Sequence, residues 1–163
     1  MNNNFQDNLK DLIIESGKSL RQLEKEMGVS SSQLSRYLKG TIPSLAVLNK
    51  IANYFDCSID FLVGIIEEKE HYSNVAYDAN KFLKNYNKYL NDNNTTHWKF
   101  AKENNFNEAV IRHWKNGETP KTATLIIITV AMGITLEELM KWVIKMPRGG
   151  HFLCRIWQLY IIY

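Results

Sequence analysis

The side chains best suited to chemistry lie between positions 28 and 40, GVSSSQLSRYLKG. Read as a helix that follows three serines, this stretch turns one polar face outward, made of Ser31, Ser32, Gln33, Ser35, Arg36 and Lys39. These groups match the hydrogen-bonding edges of bases and the oxygens of phosphates, and short serines permit a close approach. The pattern favours a helix that enters a groove of nucleic acid; the alternative is a plain solvated face.

Each polar residue type suggests a role on DNA. The Arg36 guanidinium is suited to a bidentate hydrogen bond with guanine, and the Gln33 amide is suited to pair with adenine. Each contact is worth about 1 to 3 kcal/mol of discrimination against the wrong base. Lys39 and Arg21 are expected to contact phosphates, which position a protein without reading sequence.

The remaining residues give little support to catalysis or metal binding. Cys57, Cys154 and the four histidines are scattered without metal-ligand spacing, and no nucleophile elbow or pair of catalytic carboxylates is present. The fragment SGKS at 16–19 lacks the earlier glycine of a phosphate loop. We therefore expect no enzyme activity, no metal and no cofactor.

We also expect no membrane or export signal. Its start, MNNNFQDNLKD, lacks the basic and apolar parts of a signal peptide. The longest apolar stretch, 123–134, falls well short of the roughly 20 residues that a membrane span needs. These features predict a cytoplasmic protein without membrane association.

Apolar residues at helical spacing predict five short helices in the first 62 residues. Gly17 is expected to end the first helix, Ser19 to start the second, and Gly28 to supply a left-handed turn. Ser30 or Ser31 is expected to cap the helix with the polar face, for about 1 kcal/mol. Further along, the expected landmarks are buried Leu34, Tyr37 and Leu38, terminal Gly40, Pro43 and Ser44 before the fourth helix, buried Cys57, and a Ser58 cap on the fifth.

An internal repeat extends this reading to most of the chain. Residues 5–62 align with 82–139 without a gap, at an offset of 77. The aligned pairs keep residue class, as in Leu23 with Phe100, Leu34 with Ile111, Tyr37 with Trp114, Gly40 with Gly117 and Pro43 with Pro120. The expected fold is all-α, with two tandem five-helix domains at 1–66 and 81–145, a solvated, partly helical acidic connector at 67–80, and an apolar tail at 146–163.

The segment SLRQLEKEMGVSSSQLSRYLKG, followed by TIPSLAVLNKIANYFDCSIDFLVG, resembles the phage-repressor and Cro-like helix-turn-helix family, also called XRE-type. The resemblance implies a lambda-repressor-like fold in which Leu20–Met27 positions a recognition helix, 31–39, in the major groove. Two departures stand out. Glu24 occupies the crossing of the two helices, where the family often has Ala, which implies a looser crossing. Leu20 replaces a phosphate-binding Gln, so Arg21 and Gln22 become the nearest substitutes.

The second copy carries the same signature with changes. Ala101 occupies the crossing position, and Asn105 replaces the turn glycine because Asn tolerates left-handed geometry. Its candidate DNA-binding residues are Lys99, Glu108, Arg112, His113, Lys115 and Asn116. A Glu108 carboxylate would repel phosphate unless it accepts a bond from a cytosine amino group.

Charge and hydropathy suggest self-association. Residues 1–66 hold seven basic and seven acidic side chains, whereas 81–145 hold ten and six, so the first domain is expected to need additional contacts for affinity. The segment TLIIITVAM is apolar around almost its whole circumference and must be covered on two sides. We expect a homodimer interface at Ile126, Ile127 and Val130. The apolar tail is either a native segment that covers this helix or the end of a truncated or frameshifted reading frame.

Two functions remain open at this stage. The first is a sequence-specific DNA-binding transcription regulator, a repressor of phage or mobile-element type on double-stranded DNA, with an inverted-repeat operator. In a variant of this function, both copies of one chain read adjacent sites. The second is a protein-binding inhibitor or antitoxin-like module whose second domain docks on a protein partner.

Overall fold

The computed structural model describes residues 4–140, and this part of the chain is helical without a strand. The first five helices are α1 (Asn4–Ser16), α2 (Leu20–Met27), α3 (Gln33–Leu38), α4 (Leu45–Tyr54) and α5 (Ile59–Leu62). The next five are α6 (Ala79–Asp92), α7 (His97–Glu103), α8 (Val110–Lys115), α9 (Thr122–Met132) and α10 (Leu136–Met140). None of these ten helices is long and apolar enough to cross a membrane. The predicted tail, 146–163, lies outside the described residues, as does 141–145.

Both ends of α2 and the start of α5 form where the sequence predicts them. Ser19 and Gln22 make a reciprocal capping box at the start of α2, and Gly28 ends that helix in the left-handed conformation, at φ 64°. Ser58 caps α5 by accepting a hydrogen bond from the Phe61 N–H. Cys57 is fully buried, as expected for a small apolar side chain, and burial raises the pKa of its thiol to about 11.

Left-handed backbone positions recur at the 77-residue offset. Positive φ angles occur at four pairs of positions: Gly17 with Asn94, Gly28 with Asn105, Gly40 with Gly117, and Asp56 with Gly133. Asn105 therefore adopts the geometry expected of a substitute for the turn glycine, with φ 55°. Because most L-residues pay roughly 1 to 2 kcal/mol in this region, its recurrence at equivalent positions indicates similar turns in both halves.

The two halves fill their cores with different side chains. In the first half, aliphatic residues such as Leu9 and Leu23 are fully buried. At the equivalent positions of the second half stand Tyr86 and Phe100, which pack edge to face with ring centroids 5.7 Å apart. Trp114 joins the same cluster, 5.8 Å from the Tyr86 ring. Edge-to-face aromatic pairs of this kind stabilise by about 0.5 to 1.5 kcal/mol beyond their buried area.

The connector is helical only from Ala79 onward, and it is not fully solvated, which corrects the expectation of a solvated segment. Val75 is only 4% exposed. Its N–H donates to Asn49 Oδ1 at 3.0 Å, and its carbonyl accepts from Asn49 Nδ2 at 2.9 Å. Asn49, on α4, therefore pairs with connector backbone as a strand neighbour would. The acidic composition did not reveal this packing, because the exposed acidic residues lie at the start of the connector and the side chains that pack on the core, Tyr72, Val75 and Tyr77, follow them.

Helices α5 and α10 contact each other and join the halves. The Leu136 N–H donates to Asp60 Oδ1 at 2.7 Å, so a carboxylate on α5 accepts from the free amino end of α10. Asp60 is 4% exposed. Burial raises the pKa of this carboxyl to about 6, against the lowering effect of hydrogen bonds from the Leu136 and Glu137 backbone and with a further raising effect of the Glu137 and Glu138 charges.

Candidate nucleic-acid interface

The turn between α2 and α3 is tied down from two sides. The Val29 N–H donates to the Glu24 carbonyl at 3.0 Å, which completes the left-handed turn at Gly28. Lys50, on α4, donates from Nζ to the Gly28 carbonyl at 2.7 Å. These bonds fix the direction in which the chain enters α3.

The predicted serine cap of α3 is wrong. Helix α3 begins at Gln33, later than the expected start at Ser31, and its N-cap is Ser32, whose side chain makes no capping bond. Ser32 has φ 66°, a left-handed conformation that is unfavourable for a side chain with a Cβ. Neither Ser30 nor Ser31 occupies the capping position, because the left-handed turn at Ser32 delays the helix.

Glu24 supplies the missing acceptor, a role that the sequence reading did not assign. Its Oε1 accepts the Leu34 N–H at 3.0 Å, and the residue is only 5% exposed. The carboxylate therefore lies at the crossing of α2 and α3, where the resemblance in sequence predicts a small side chain, and it caps α3 from the neighbouring helix. The sequence held one sign of this role, because Glu24 lies on the apolar side of α2. An acid there faces the free N–H groups at the start of α3.

The structure places most of the predicted contact residues at the surface. Exposed side chains are those of Arg21, Gln22, Ser31, Ser32, Arg36 and Lys39, while Gln33 and Ser35 are half-buried. The opposite face of α3 is held by Leu34, fully buried, and Tyr37, 5% exposed. Helix α3 therefore has one anchored face and one polar face, as a groove-binding helix requires.

The polar residues differ in whether they already have hydrogen-bond or ion-pair partners within the protein. Gln22 Oε1 accepts from Ser19 in the capping box, and Gln33 Oε1 accepts the Ser30 N–H at 3.1 Å. The side-chain oxygens of both glutamines are therefore already engaged in local hydrogen bonds. Among residues 4–140, by contrast, no carboxylate forms an ion pair with Arg21, Arg36 or Lys39. Their charges are available to an external partner.

The entrance to α8 is built differently from that of α3. Asn107 Oδ1 accepts the Ala109 N–H at 2.8 Å, a local turn that needs no carboxylate from the neighbouring helix. His97 Nε2 lies 2.8 Å from the Glu108 carbonyl oxygen, and its Nδ1 lies 2.7 Å from the Tyr86 hydroxyl. The imidazole thus links α6 to the turn before α8.

The candidate residues of the second half are all exposed: Lys99, Glu108, Arg112, His113, Lys115 and Asn116. Two of them have acidic neighbours, since Lys99 Nζ lies 3.9 Å from Glu103 and His113 Nδ1 lies 2.9 Å from Glu118. Within the described part of the chain, Arg112 and Lys115 have no such ion pair.

Trp98 is a surface residue that the sequence reading passed over. It is 57% exposed on α7, and Lys102 Nζ lies 4.9 Å from the centre of its ring. It occupies the position equivalent to Arg21 at the offset of 77. Large exposed aromatic residues are typical of contact surfaces.

Helix α9 buries one side and leaves another open. Leu125 and Ile128 are fully buried. Of the predicted dimer residues, Ile126 and Ile127 are half-buried and Val130 is 56% exposed. An apolar edge of α9 therefore remains uncovered by residues 4–140.

Comparison with known proteins agrees with the geometry of the first half. A family model described as Helix-turn-helix matches residues 9–62, the range that holds α2 and α3. No curated protein and no solved structure gives a match to the chain. Residues 9–62, which hold α2 and α3, are therefore similar to a helix-turn-helix domain.

Proposed function

We propose that the chain is a sequence-specific DNA-binding transcription regulator without catalytic activity, and that α3 reads the major groove. The observation that carries the proposal is the exposed polar face of α3, where Arg36 and Lys39 have no acidic partner among residues 4–140. A free arginine on a short, rigidly mounted helix is suited to a bidentate contact with guanine.

The remaining exposed groups divide into base and phosphate contacts. Arg36 is assigned to base reading, and Lys39 and Arg21 to phosphates, because they lie at the end of α3 and the start of α2. The exposed hydroxyls of Ser31 and Ser32 complete the face. Gln33 makes a bidentate contact with adenine only if its Oε1 leaves the Ser30 N–H, so its share is smaller than that of Arg36.

The second half is proposed to be a divergent helix-turn-helix domain with α8 as its recognition helix. Its support is the recurrence of left-handed turns at the offset of 77, above all Asn105 in place of Gly28. Arg112 and Lys115 are exposed and form no ion pair within residues 4–140, so they give α8 a positive surface that adds phosphate contacts to those of the more neutral first domain.

Self-association completes the proposed mechanism. The uncovered edge of α9 at Ile126, Ile127 and Val130 is proposed to meet a second chain, because apolar surface of this kind is typical of subunit interfaces. A two-fold dimer binds an inverted-repeat operator with half-sites about 10 bp or a multiple apart. Bound there, a cytoplasmic regulator of phage or mobile-element type represses transcription by occluding a promoter.

One observation favours a second function, docking on a protein. The exposed Trp98 and the carboxylate of Glu108 suit a protein surface better than a phosphate backbone. In that function the second domain binds a protein partner, as an inhibitor or antitoxin-like module does. Trp98→Ala separates the two, because it removes a protein contact while leaving the positive charges of α8 unchanged.

A mobility-shift titration tests the proposal. The full chain is mixed with duplex from the flanks of its own gene and with shuffled duplex of equal composition, at two salt concentrations. A regulator binds the flanking duplex at least 10³-fold more tightly than the shuffled one, and both affinities fall with salt. Equal affinity for both duplexes, or none at either salt concentration, would exclude sequence-specific regulation.

A further inference from the structure

Equivalent helices of the two halves pack against each other. Ile59, the first residue of α5, corresponds to Leu136, the first residue of α10, at the offset of 77. Both residues are buried, at 1% and 0% exposed, and α5 contacts α10. Contact between equivalent elements is the arrangement that a two-fold axis produces in symmetric dimers. Here it occurs within a single chain.

Several polar contacts hold this arrangement together. Asp60 accepts the Leu136 N–H at 2.7 Å, and Ser73 Oγ donates to Glu137 Oε1 at 2.9 Å. The Tyr77 hydroxyl also donates to the Glu118 carbonyl, which closely follows α8, at 3.4 Å. The connector itself is paired to α4, so contacts of the connector and of α5 both tie the two halves together. The separation between α3 and α8 is therefore set by the fold.

We propose that one chain binds one DNA duplex with both recognition helices, at a fixed separation and on two unlike half-sites. This inference rests on the proposed DNA-binding function. The surface that would pair two chains through α5 or α10 is already used inside the chain, so a second copy is not needed to present a second reading helix. Self-association through α9 would then pair two such composite readers.

The half-sites are unlike because the two reading faces differ in chemistry. Helix α3 follows three exposed serines and offers Arg36, whereas α8 offers Arg112 and is preceded by the carboxylate of Glu108. A carboxylate accepts from the cytosine amino group, and a serine hydroxyl bonds to several bases. The predicted site is therefore asymmetric, which distinguishes it from the palindrome of a simple dimer.

Selection of duplexes from a random pool by the full chain tests the inference. The wild-type chain is expected to recover two different sequence elements at one spacing. Arg36→Ala should abolish base preference in one element and Arg112→Ala in the other, each lowering affinity for the selected duplex roughly 5- to 150-fold. Lys10→Ala, which removes an exposed cation from α1, is the control for loss of charge alone.

The spacing gives a second measurement on the same selected duplex. Inserting 5 bp between the elements turns one by about half a helical turn, and inserting 10 bp moves it along by about one turn. Both insertions are expected to reduce affinity to that of a duplex with one element, and sedimentation should find one chain for each pair of elements.

Three results are decisive. If Arg112→Ala is folded by circular dichroism and keeps the wild-type base preference in both elements, the inference is overturned. The proposed function then remains intact, because the wild-type chain still binds DNA sequence-specifically. A selected site made of two identical inverted elements, bound by two chains, does the same. Absence of any selected sequence overturns the proposed function, and the inference with it.

Discussion

Asp60→Asn isolates the ionisation of the buried carboxylate that joins the two halves. Asn keeps the size of the side chain and an oxygen that accepts the Leu136 N–H, which Asp60 Oδ1 now accepts at 2.7 Å. The substitution removes the charge. The wild-type protein and this variant should therefore differ in how the free energy of unfolding depends on pH.

The magnitude follows from the pKa. Burial raises the pKa of Asp60 from 3.8 to about 6, so between these values the folded chain binds a proton that the unfolded chain has released. This contribution favours folding at low pH, and it is lost as pH rises through about 6. At about 1.4 kcal/mol for each pKa unit, the Asp60 contribution at pH 5 exceeds that at pH 7 by about 1.3 kcal/mol.

Urea unfolding of both proteins at several pH values between 5 and 7.5 measures this difference. The stability of wild type minus that of Asp60→Asn should fall by about 1.3 kcal/mol from pH 5 to pH 7. Contributions that are the same in both proteins cancel in this difference. Asp60→Ala, which leaves the Leu136 N–H without its acceptor, should lower stability by about 1 to 3 kcal/mol at low pH. A difference that does not change with pH would refute the assigned burial of the charge.

The other predictions concern α3. Glu24→Ala should lower the free energy of unfolding by about 1 to 3 kcal/mol in urea titrations, since it leaves the buried Leu34 N–H unpaired, and Glu24→Gln should lower it less; equal losses would argue against the cap. Ser32→Gly should raise thermal stability by about 1 kcal/mol because glycine accepts φ 66°; a lower melting temperature would contradict a strained Ser32. Lys39→Ala should weaken binding to all duplexes alike and reduce the slope of log affinity against log salt by about 1; an effect confined to one sequence would make Lys39 a base reader.

The sequence predicted best what depends on neighbouring residues. Helix periodicity, the Ser19 and Ser58 caps and the left-handed turns at Gly28 and Asn105 follow from local backbone energetics, and the structure contains each of them. The outward placement of Arg36 also follows from helical spacing once the apolar face of α3 is known.

What the sequence did not predict depends on contacts between distant residues. Glu24 caps a helix that begins nine residues later, and Asp60 accepts from Leu136, 76 residues away. Neither carboxylate differs from a solvated one until the packing of its helix is known. The connector was misjudged for the same reason, because one buried Val75 paired to Asn49 outweighs its acidic composition.

The central claim is that α3 reads DNA sequence through Arg36, and competition binding measures it most directly. Affinities of wild type, Arg36→Ala and the Lys39→Ala control are determined on the preferred duplex and on shuffled duplex at one salt concentration. Arg36→Ala should lower affinity for the preferred duplex by about 1 to 3 kcal/mol and reduce the preference over shuffled duplex, whereas Lys39→Ala preserves that preference. An Arg36→Ala protein that remains folded and keeps the full wild-type preference would contradict the claim.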